Sequence, residues 1–301
     1  MDKKAQNKYR NLENQLMGIF RHNRQGSIAT KGRYLSSSKR FCKFVAENFG
    51  LENFKNIQNK HIQAYIADMR GRELKPAHIK TEISAIRFFH DKCDKTRYQI
   101  GTNEELGYTE KRTFGGVERA WSDSEYQKFK EVCSKQKKDV ISAVATLARN
   151  EGLRIHETFK ISRHSVENGL RSNFLHVIGK GGKERDVPLS SESRDLLKNW
   201  IEYTPRGEKL FVPSGVKTHL EIKKVQNFIN YHREKYQDTD RRGDKIRDCN
   251  ITFHGLRHAY AREQYEERIA KGLSDYQARL EVSELLGHER DEVTRIYLCR
   301  K

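Results

Sequence analysis

Four times in the first hundred residues, apolar side chains recur at the three- and four-residue spacing that gathers them on one face of an α-helix. The sets are Leu12, Leu16, Ile19 and Phe20; Phe41, Phe44 and Val45; Ile62, Tyr65, Ile66 and Met69; and Ile79, Ile83 and Ile86. This pattern predicts four short amphipathic helices. Only four prolines in 301 residues leave the rest of the chain free to be helical as well. Between the apolar sets, residues 21–24, 30–33 and 70–75 are basic and polar, and read either as a solvated surface or as a face turned toward phosphates.

The periodicity lapses over residues 101–117, GTNEELGYTEKRTFGGV, which predicts a linker between a helical first domain, 1–100, and a second domain, 118–301. Ser122 and Glu125 directly after it have the spacing of a capping box, which satisfies free amides at a helix start. The second domain reads as mostly helical with one exception. Residues 174–178 are strand formers, Gly181 and Gly182 can take the positive φ of a tight turn, and residues 187–189 close a return strand. Further on, Thr252 can cap a helix running to about Ala270 and stopping at Gly272. Ser274 with Gln277 caps the next, which Gly287 ends, and a last short helix starts near Asp291. The expected fold class is therefore mainly α with a small β-hairpin: a helical N-terminal domain followed by an α+β domain.

Charge narrows the partners. Lys and Arg total 59 against 41 Asp and Glu, a formal balance of +18, which points to a polyanion. Apolar runs of only a few residues exclude a membrane-embedded chain. The N-terminus, MDKKAQNKYRNLENQ, has no apolar stretch behind its lysines, so no secretory signal and a cytoplasmic location are expected. Cys42, Cys93, Cys133, Cys249 and Cys299 are scattered, odd in number and never at metal-ligand spacing, and read as reduced thiols with no zinc site.

Several short segments could carry chemistry. His254 and Arg257 of Thr-Phe-His-Gly-Leu-Arg-His sit three apart at a helix start, where free amides already favour an anion, and can address one phosphate together; such pairs are also common on basic surfaces. Arg154 of Glu-Gly-Leu-Arg-Ile-His-Glu lies between apolar neighbours at the start of a helix, poorly placed for simple solvation. The competing reading is a buried ion pair with Glu157. Leu-Leu-Gly-His288 ends a helix nine residues before Tyr297. On one continuous helix those two would face opposite ways, so they share a site only if the helix breaks, as Gly287 allows. An ordinary helix-end histidine and an ordinary core tyrosine are the alternatives. Lys180 precedes the Gly181-Gly182 turn and is either a hairpin-tip lysine reaching into a DNA groove or a plain turn residue. The Gly- and Lys-rich segment is not a nucleotide phosphate loop, because a strand follows where that motif requires a helix.

In this order, Arg154 in GLR, Lys180 in GKGGKERDVPL, the HGLRH of residues 254–258, LGH ending at His288, and Tyr297, the second domain resembles the tyrosine recombinase (phage integrase) family. The resemblance covers residues 118–301 and implies a helical core-binding domain ahead of an α+β catalytic domain. Two features differ from many relatives: residues 263–272 lengthen the stretch between Arg257 and His288, and only four residues follow the tyrosine. The implied function is a site-specific DNA recombinase or integrase that cuts and rejoins duplex DNA through a 3′-phosphotyrosyl intermediate. Tyr297 would be the nucleophile, Arg154 and Arg257 the phosphate clamp, and His254 the proton acceptor. Lys180 would be the acid for the leaving 5′ oxygen, and His288 a hydrogen-bond donor. No cofactor or metal is called for. The implied partners are double-stranded DNA, further copies forming a homotetramer on paired sites, and accessory DNA-bending proteins, with the enzyme at the bacterial nucleoid or on a mobile element. Two alternatives share the fold: a topoisomerase-like enzyme without strand exchange, and a catalytically silent DNA-binding protein. A metallohydrolase built on His254 and His258 is poorer, since no glutamate lies between them and the arginine goes unused.

Overall fold

The structure, a computed structural model, describes residues 1–23, 25–26, 28–111, 118–242, 251–287, 294–295 and 297–298. Two compact units divide the chain, Met1–Thr113 and Phe114–Lys301. Among the described residues no helix is long and apolar enough to cross a membrane.

The first unit is built from α1 (Lys3–His22), α2 (Ile28–Phe49), α3 (Asn59–Gly71) and α4 (Pro76–His90). The four apolar stripes supply its core: Leu12, Leu16, Phe41, Val45, Ile62, Ile66, Met69, Ile79, Ile83 and Ile86 are all buried. Pro76 occupies a first-turn position of α4, where its missing N–H costs nothing. Two expectations change. Residues 30–33, read as lying between helices, are inside α2. A polar stretch shows no apolar period, yet its Lys and Arg are good helix formers, and one Gly32 costs only about 1 kcal/mol. The segment read as a linker packs on this unit from Gly101 to Glu110, which takes Arg70 Nε at 2.6 Å. Leu106 and Tyr108 are buried in its core, and the Tyr108 hydroxyl donates to the Pro76 carbonyl at 2.6 Å. Two apolar residues in an aperiodic segment suffice to anchor it.

The second unit contains α5 (Asp123–Lys135), α6 (Asp139–Glu151), α7 (Ile155–Thr158), α8 (Arg163–Ser172), β1 (Phe174–Ile178) and β2 (Glu184–Pro188). They are followed by α9 (Ser191–Glu202), α10 (Thr218–His232), α11 (Thr239–Arg242), α12 (Phe253–Ala270) and α13 (Asp275–Leu285). The Ser122 capping box forms as expected: the Glu125 amide donates to Ser122 Oγ at 3.2 Å and the Ser122 amide to Glu125 Oε2 at 2.9 Å. Ser274 and Gln277 do the same for α13. Residues 263–270 continue α12, and Glu263 takes the guanidinium of Arg149 from α6.

Helix α6 is the centre of this core, with Ala143, Val144, Ala145, Leu147 and Ala148 buried, and α12 lies across it. Close approach at the start of α12 depends on Gly255, where a Cβ would fall 2.3 Å from the Arg119 carbonyl oxygen and 2.6 Å from the Trp121 ring. Trp121 in turn donates its Nε1–H to the Thr252 carbonyl at 2.8 Å. The single sheet among the described residues is the antiparallel pair β1–β2, registered Phe174 to Pro188 and Ile178 to Glu184. Its root is held by Leu175, Val177 and Val187, all buried, each contributing about 1.5–3 kcal/mol of hydrophobic stabilisation. The turn spans more residues than a tight two-residue one: Lys180–Gly182 form a 3₁₀ turn, with Gly181 and Gly182 at positive φ.

Candidate active site

Helix α6 ends at Gly152, whose φ of +63° reverses the chain, and a Cβ there would meet the Tyr260 ring at 2.4 Å. Only glycine suits both demands. The reversal delivers Arg154 to the start of α7, where its backbone N–H donates to Glu157 Oε2 and its Nη1 to Glu157 Oε1, each at 2.8 Å. The ion pair that competed with a functional reading of Arg154 is thus present, but Glu157 does not serve Arg154 alone. Arg185, from β2, places Nη1 and Nη2 on the same two oxygens at 2.9 Å each. Burial alone would raise the Glu157 pKa. The Arg185 fork, helped by the Arg154 amide and guanidinium, outweighs it and holds the carboxyl at about 2.

Across from this turn, α12 presents His254, Arg257 and His258. Arg257 is 0% exposed. Its Nη1 donates to the Gly152 carbonyl and its Nη2 to the Leu286 carbonyl, so one side chain staples the residue pair before Arg154 to the end of α13. Burial lowers its pKa to about 10, against the opposing influence of Tyr297. The sequence left Arg257 either addressing a phosphate together with His254 or lying on a basic surface; in the fold it is buried where α12 packs on α6 and α13, while His254 stays exposed.

Tyr297 rests on this face. Its hydroxyl is 3.1 Å from His254 Nε2, its ring stacks on His258 at 4.2 Å between centroids and 22° between planes, and Arg257 Cζ lies 5.8 Å from the ring centre. The tyrosine is 5% exposed and belongs to an apolar cluster with Tyr260, Ala278, Val282, Leu286 and Leu298. Both histidines are held neutral. Burial first, then the charge of Arg257, Arg154 and Arg119, takes His254 down to about 4, and burial with its neighbour His254 takes His258 down to about 3. The His254 ring remains open on one side, where water screens part of this effect. A neutral His254 can accept the phenolic proton at Nε2 in the matching tautomer.

Arg154 and His254 open onto one cleft of about 640 Å³, whose wall also carries His156 and, from α10, His219, Lys223 and Asn230. A larger cavity of about 730 Å³, lined by Val140, Trp200, Phe228 and Tyr231, includes none of the expected site residues. The resulting site sets three guanidiniums, Arg154, Arg185 and Arg257, against one carboxylate, with its histidines uncharged. That surplus of fixed positive charge is suited to an oxyanion such as a phosphodiester. No group of three His, Cys, Asp or Glu side chains is arranged to hold a metal among the described residues.

Of the six residues expected from the sequence, the fold brings Arg154, His254, Arg257 and Tyr297 together. Lys180 is placed by its backbone in the hairpin turn. His288 lies outside the described residues, as does the start of the helix expected near Asp291. Sequence reasoning gave no role to Arg185, and took His258 only as half of a poor metal pair. The one signal for Arg185 was its position on the return strand five residues from Lys180.

An arginine-rich site beside a tyrosine, on a helical two-unit chain, is suited to chemistry on a phosphodiester, and comparison with known proteins supplies the class. The Phage integrase family matches over residues 121–300, and the Phage integrase, N-terminal SAM-like domain over residues 17–92. The chain belongs to the phage integrase, or tyrosine recombinase, family, and is a tyrosine-type site-specific recombinase acting on DNA. It is 26% identical over 287 residues to tyrosine recombinase XerC of Lacticaseibacillus casei (strain BL23), covering 91% of this chain and 89% of that protein. Its fold is similar to a lambda integrase dimer bound to a COC′ core site, with a TM-score of 0.64 at 18% identity over 95% of this chain and 76% of that one. It is likewise similar to a lambda integrase tetramer bound to a Holliday junction, with a TM-score of 0.63 at 19% identity over 96% and 77% of the two chains.

Proposed function

We propose that this recombinase cleaves duplex DNA by attack of the Tyr297 oxygen on a backbone phosphorus. The P–O5′ bond breaks, a 3′-phosphotyrosyl enzyme forms, and the reverse attack by a 5′ hydroxyl rejoins the strand. The observation that carries this reading is the 3.1 Å contact between the Tyr297 hydroxyl and a His254 held neutral, beside the cleft that Arg154 lines. A phenol with a reference pKa of about 10 is a weak nucleophile near neutral pH, and transfer of its proton to His254 Nε2 activates it. Arg154 and Arg257 neutralise the non-bridging oxygens of the five-coordinate transition state, Arg257 after exchanging a carbonyl for the phosphate. Lys180 at the hairpin turn gives its proton to the leaving 5′ oxygen, and His288 donates a hydrogen bond. The phosphodiester energy is retained in the tyrosyl bond, so rejoining needs no nucleotide.

Residues 1–100 serve as the core-binding domain and 118–301 as the catalytic domain, each meeting duplex DNA with part of the +18 charge. Four copies act on two paired sites; a lambda integrase tetramer on a Holliday junction supports this assembly. The deciding experiment is Tyr297→Phe on a nicked suicide substrate. The variant keeps its ring stacked on His258, so it should bind DNA as the native chain does yet give no SDS-stable protein–DNA adduct. A normal adduct yield from the phenylalanine variant would remove Tyr297 from the reaction.

A further inference from the structure

We propose that Arg185 is a positioning residue of the strand-transfer reaction: it ties the lysine-bearing β-hairpin to the Arg154 turn and to the end of α13, so that these segments meet one phosphate in fixed geometry. The inference rests on the reaction proposed above, but its physical content is a mechanical link that can be measured separately.

A two-stranded hairpin does not hold its own position in water; neighbours must impose it. At its root they do, through Leu175, Val177 and Val187. Beyond Val177 that anchorage ends, and Ile178 is 43% exposed. The outer half is held by polar ties instead. The Gly179 amide donates to the Lys183 carbonyl at 2.6 Å and closes the loop on itself. Lys160 Nζ donates to the Ile178 carbonyl at 3.2 Å. The strongest tie is Arg185, registered opposite Val177 where the apolar anchorage ends and next to Glu184 at the last pair, whose two outer nitrogens grip both oxygens of Glu157 at 2.9 Å. Glu157 is fully buried and holds Arg154 at the same time, so the hairpin and the Arg154 turn share one carboxylate. Gly179 sits against the same group: a Cβ there would be 3.3 Å from Glu157 Oε1 and 3.8 Å from Arg154 Nη1.

The stem of Arg185 makes a third connection. Gly287, at φ +62°, ends α13, and a Cβ on it would lie 3.0 Å from Arg185 Cδ and 3.6 Å from its Nε. The arginine thus occupies the space that any side chain at 287 would claim. With both outer nitrogens committed to Glu157 and only 12% of its side chain exposed, Arg185 is not placed to touch DNA itself. Its influence passes through the groups it holds. A displacement of about 1 Å among reacting groups costs up to roughly 10²-fold in rate, so a loosened hairpin is costly even with every reacting side chain present.

The test compares Arg185→Met, which keeps the stem and loses the fork, with Arg185→Lys, which keeps the charge and loses bidentate geometry. Three readouts are taken on the full chain: duplex affinity, single-turnover cleavage of a nicked substrate, and amide hydrogen exchange across residues 174–188. In both variants we expect affinity within about threefold of native, cleavage slower by roughly 10- to 100-fold, and faster exchange confined to the outer hairpin while α6 and α12 stay protected. If Arg185→Met fails to fold, Arg185→Lys, which leaves Glu157 neutralised, gives the same three readouts. Unchanged hairpin exchange in a folded variant overturns the proposal, whether or not cleavage slows. Native cleavage by a variant with a loosened hairpin overturns it too. Absence of any Tyr297 adduct from the native chain would instead refute the proposed reaction, and the exchange measurement would still decide whether Arg185 is the link.

Discussion

Replacing Glu157 by glutamine should cost stability in a way that depends on pH, and the size follows from its surroundings. The carboxylate accepts four hydrogen bonds: the Arg154 amide and Nη1 at 2.8 Å, and the Arg185 Nη1 and Nη2 at 2.9 Å. Burial opposes the charge, but these donors win and move the pKa from 4.5 to about 2. A carboxyl with a lowered folded-state pKa binds its proton more readily in the unfolded chain, so its stabilisation is complete above about pH 4.5 and is lost as pH falls through about 2. At about 1.4 kcal/mol per pK unit the shift is worth on the order of 3 kcal/mol near neutrality, with roughly 2 kcal/mol of it gone by about pH 3. Glutamine keeps one acceptor oxygen and turns an N–H₂ toward an arginine, leaving a buried cation underpaired, so the loss near neutral pH should be about 3–5 kcal/mol. Urea unfolding of the native chain and Glu157→Gln, at several pH values from about 7 to about 3, measures the difference directly. Other acid-sensitive groups, the neutral His254 and the buried His258 among them, are common to both proteins and cancel. The difference should shrink by about 2 kcal/mol toward the acid end. A difference that stays constant with pH would mean that Glu157 is not held charged by its arginines, and the account of the site as a charge-compensated cluster would fail.

Two further outcomes test neighbouring parts of the argument. Gly152→Ala should lose about 2–4 kcal/mol in thermal or chemical unfolding, combining left-handed strain with displacement of the Tyr260 ring, and should slow cleavage because the Gly152 carbonyl receives Arg257. Gly181→Ala, at φ +77° with open space around it, should show the strain alone, and equal losses in the two variants would refute the packing part. Because His254 must be unprotonated to accept the phenolic proton, cleavage measured as kcat/KM should stay level from neutral pH downward and fall only as the ring protonates near its lowered value of about 4. The same limb in kcat should lie higher, since a bound phosphodiester favours the imidazolium, and a free-enzyme limb at the ordinary histidine value would contradict the environment described here.

The amphipathic stripes, the Ser122 and Ser274 caps, the Thr252 helix start and the hairpin strands are all legible in the sequence, because each depends on interactions within a few residues. Helical period, capping and turn chemistry are local, and the structure keeps them with small changes of boundary, except that Thr252 stands at the start of α12 without a side-chain cap bond. The order of Arg154, Lys180, His254, Arg257, His288 and Tyr297 was legible for another reason: the set, taken in sequence, resembles the motifs of the tyrosine recombinase family. What each of these side chains does in the fold was not written locally. Glu157 meets Arg185 across 28 residues, Tyr297 meets His254 across 43, and Arg257 meets the Gly152 carbonyl across 105. Such pairings arise only when α12 lies across α6 and the hairpin folds back on the Arg154 turn. No periodicity could announce that Arg257 lies beneath the site and holds two carbonyls, or that His258 forms the floor under the tyrosine. Burial decided the protonation of both histidines, and burial belongs to the packed molecule, where long-range contacts remove water from groups that the unfolded chain leaves hydrated.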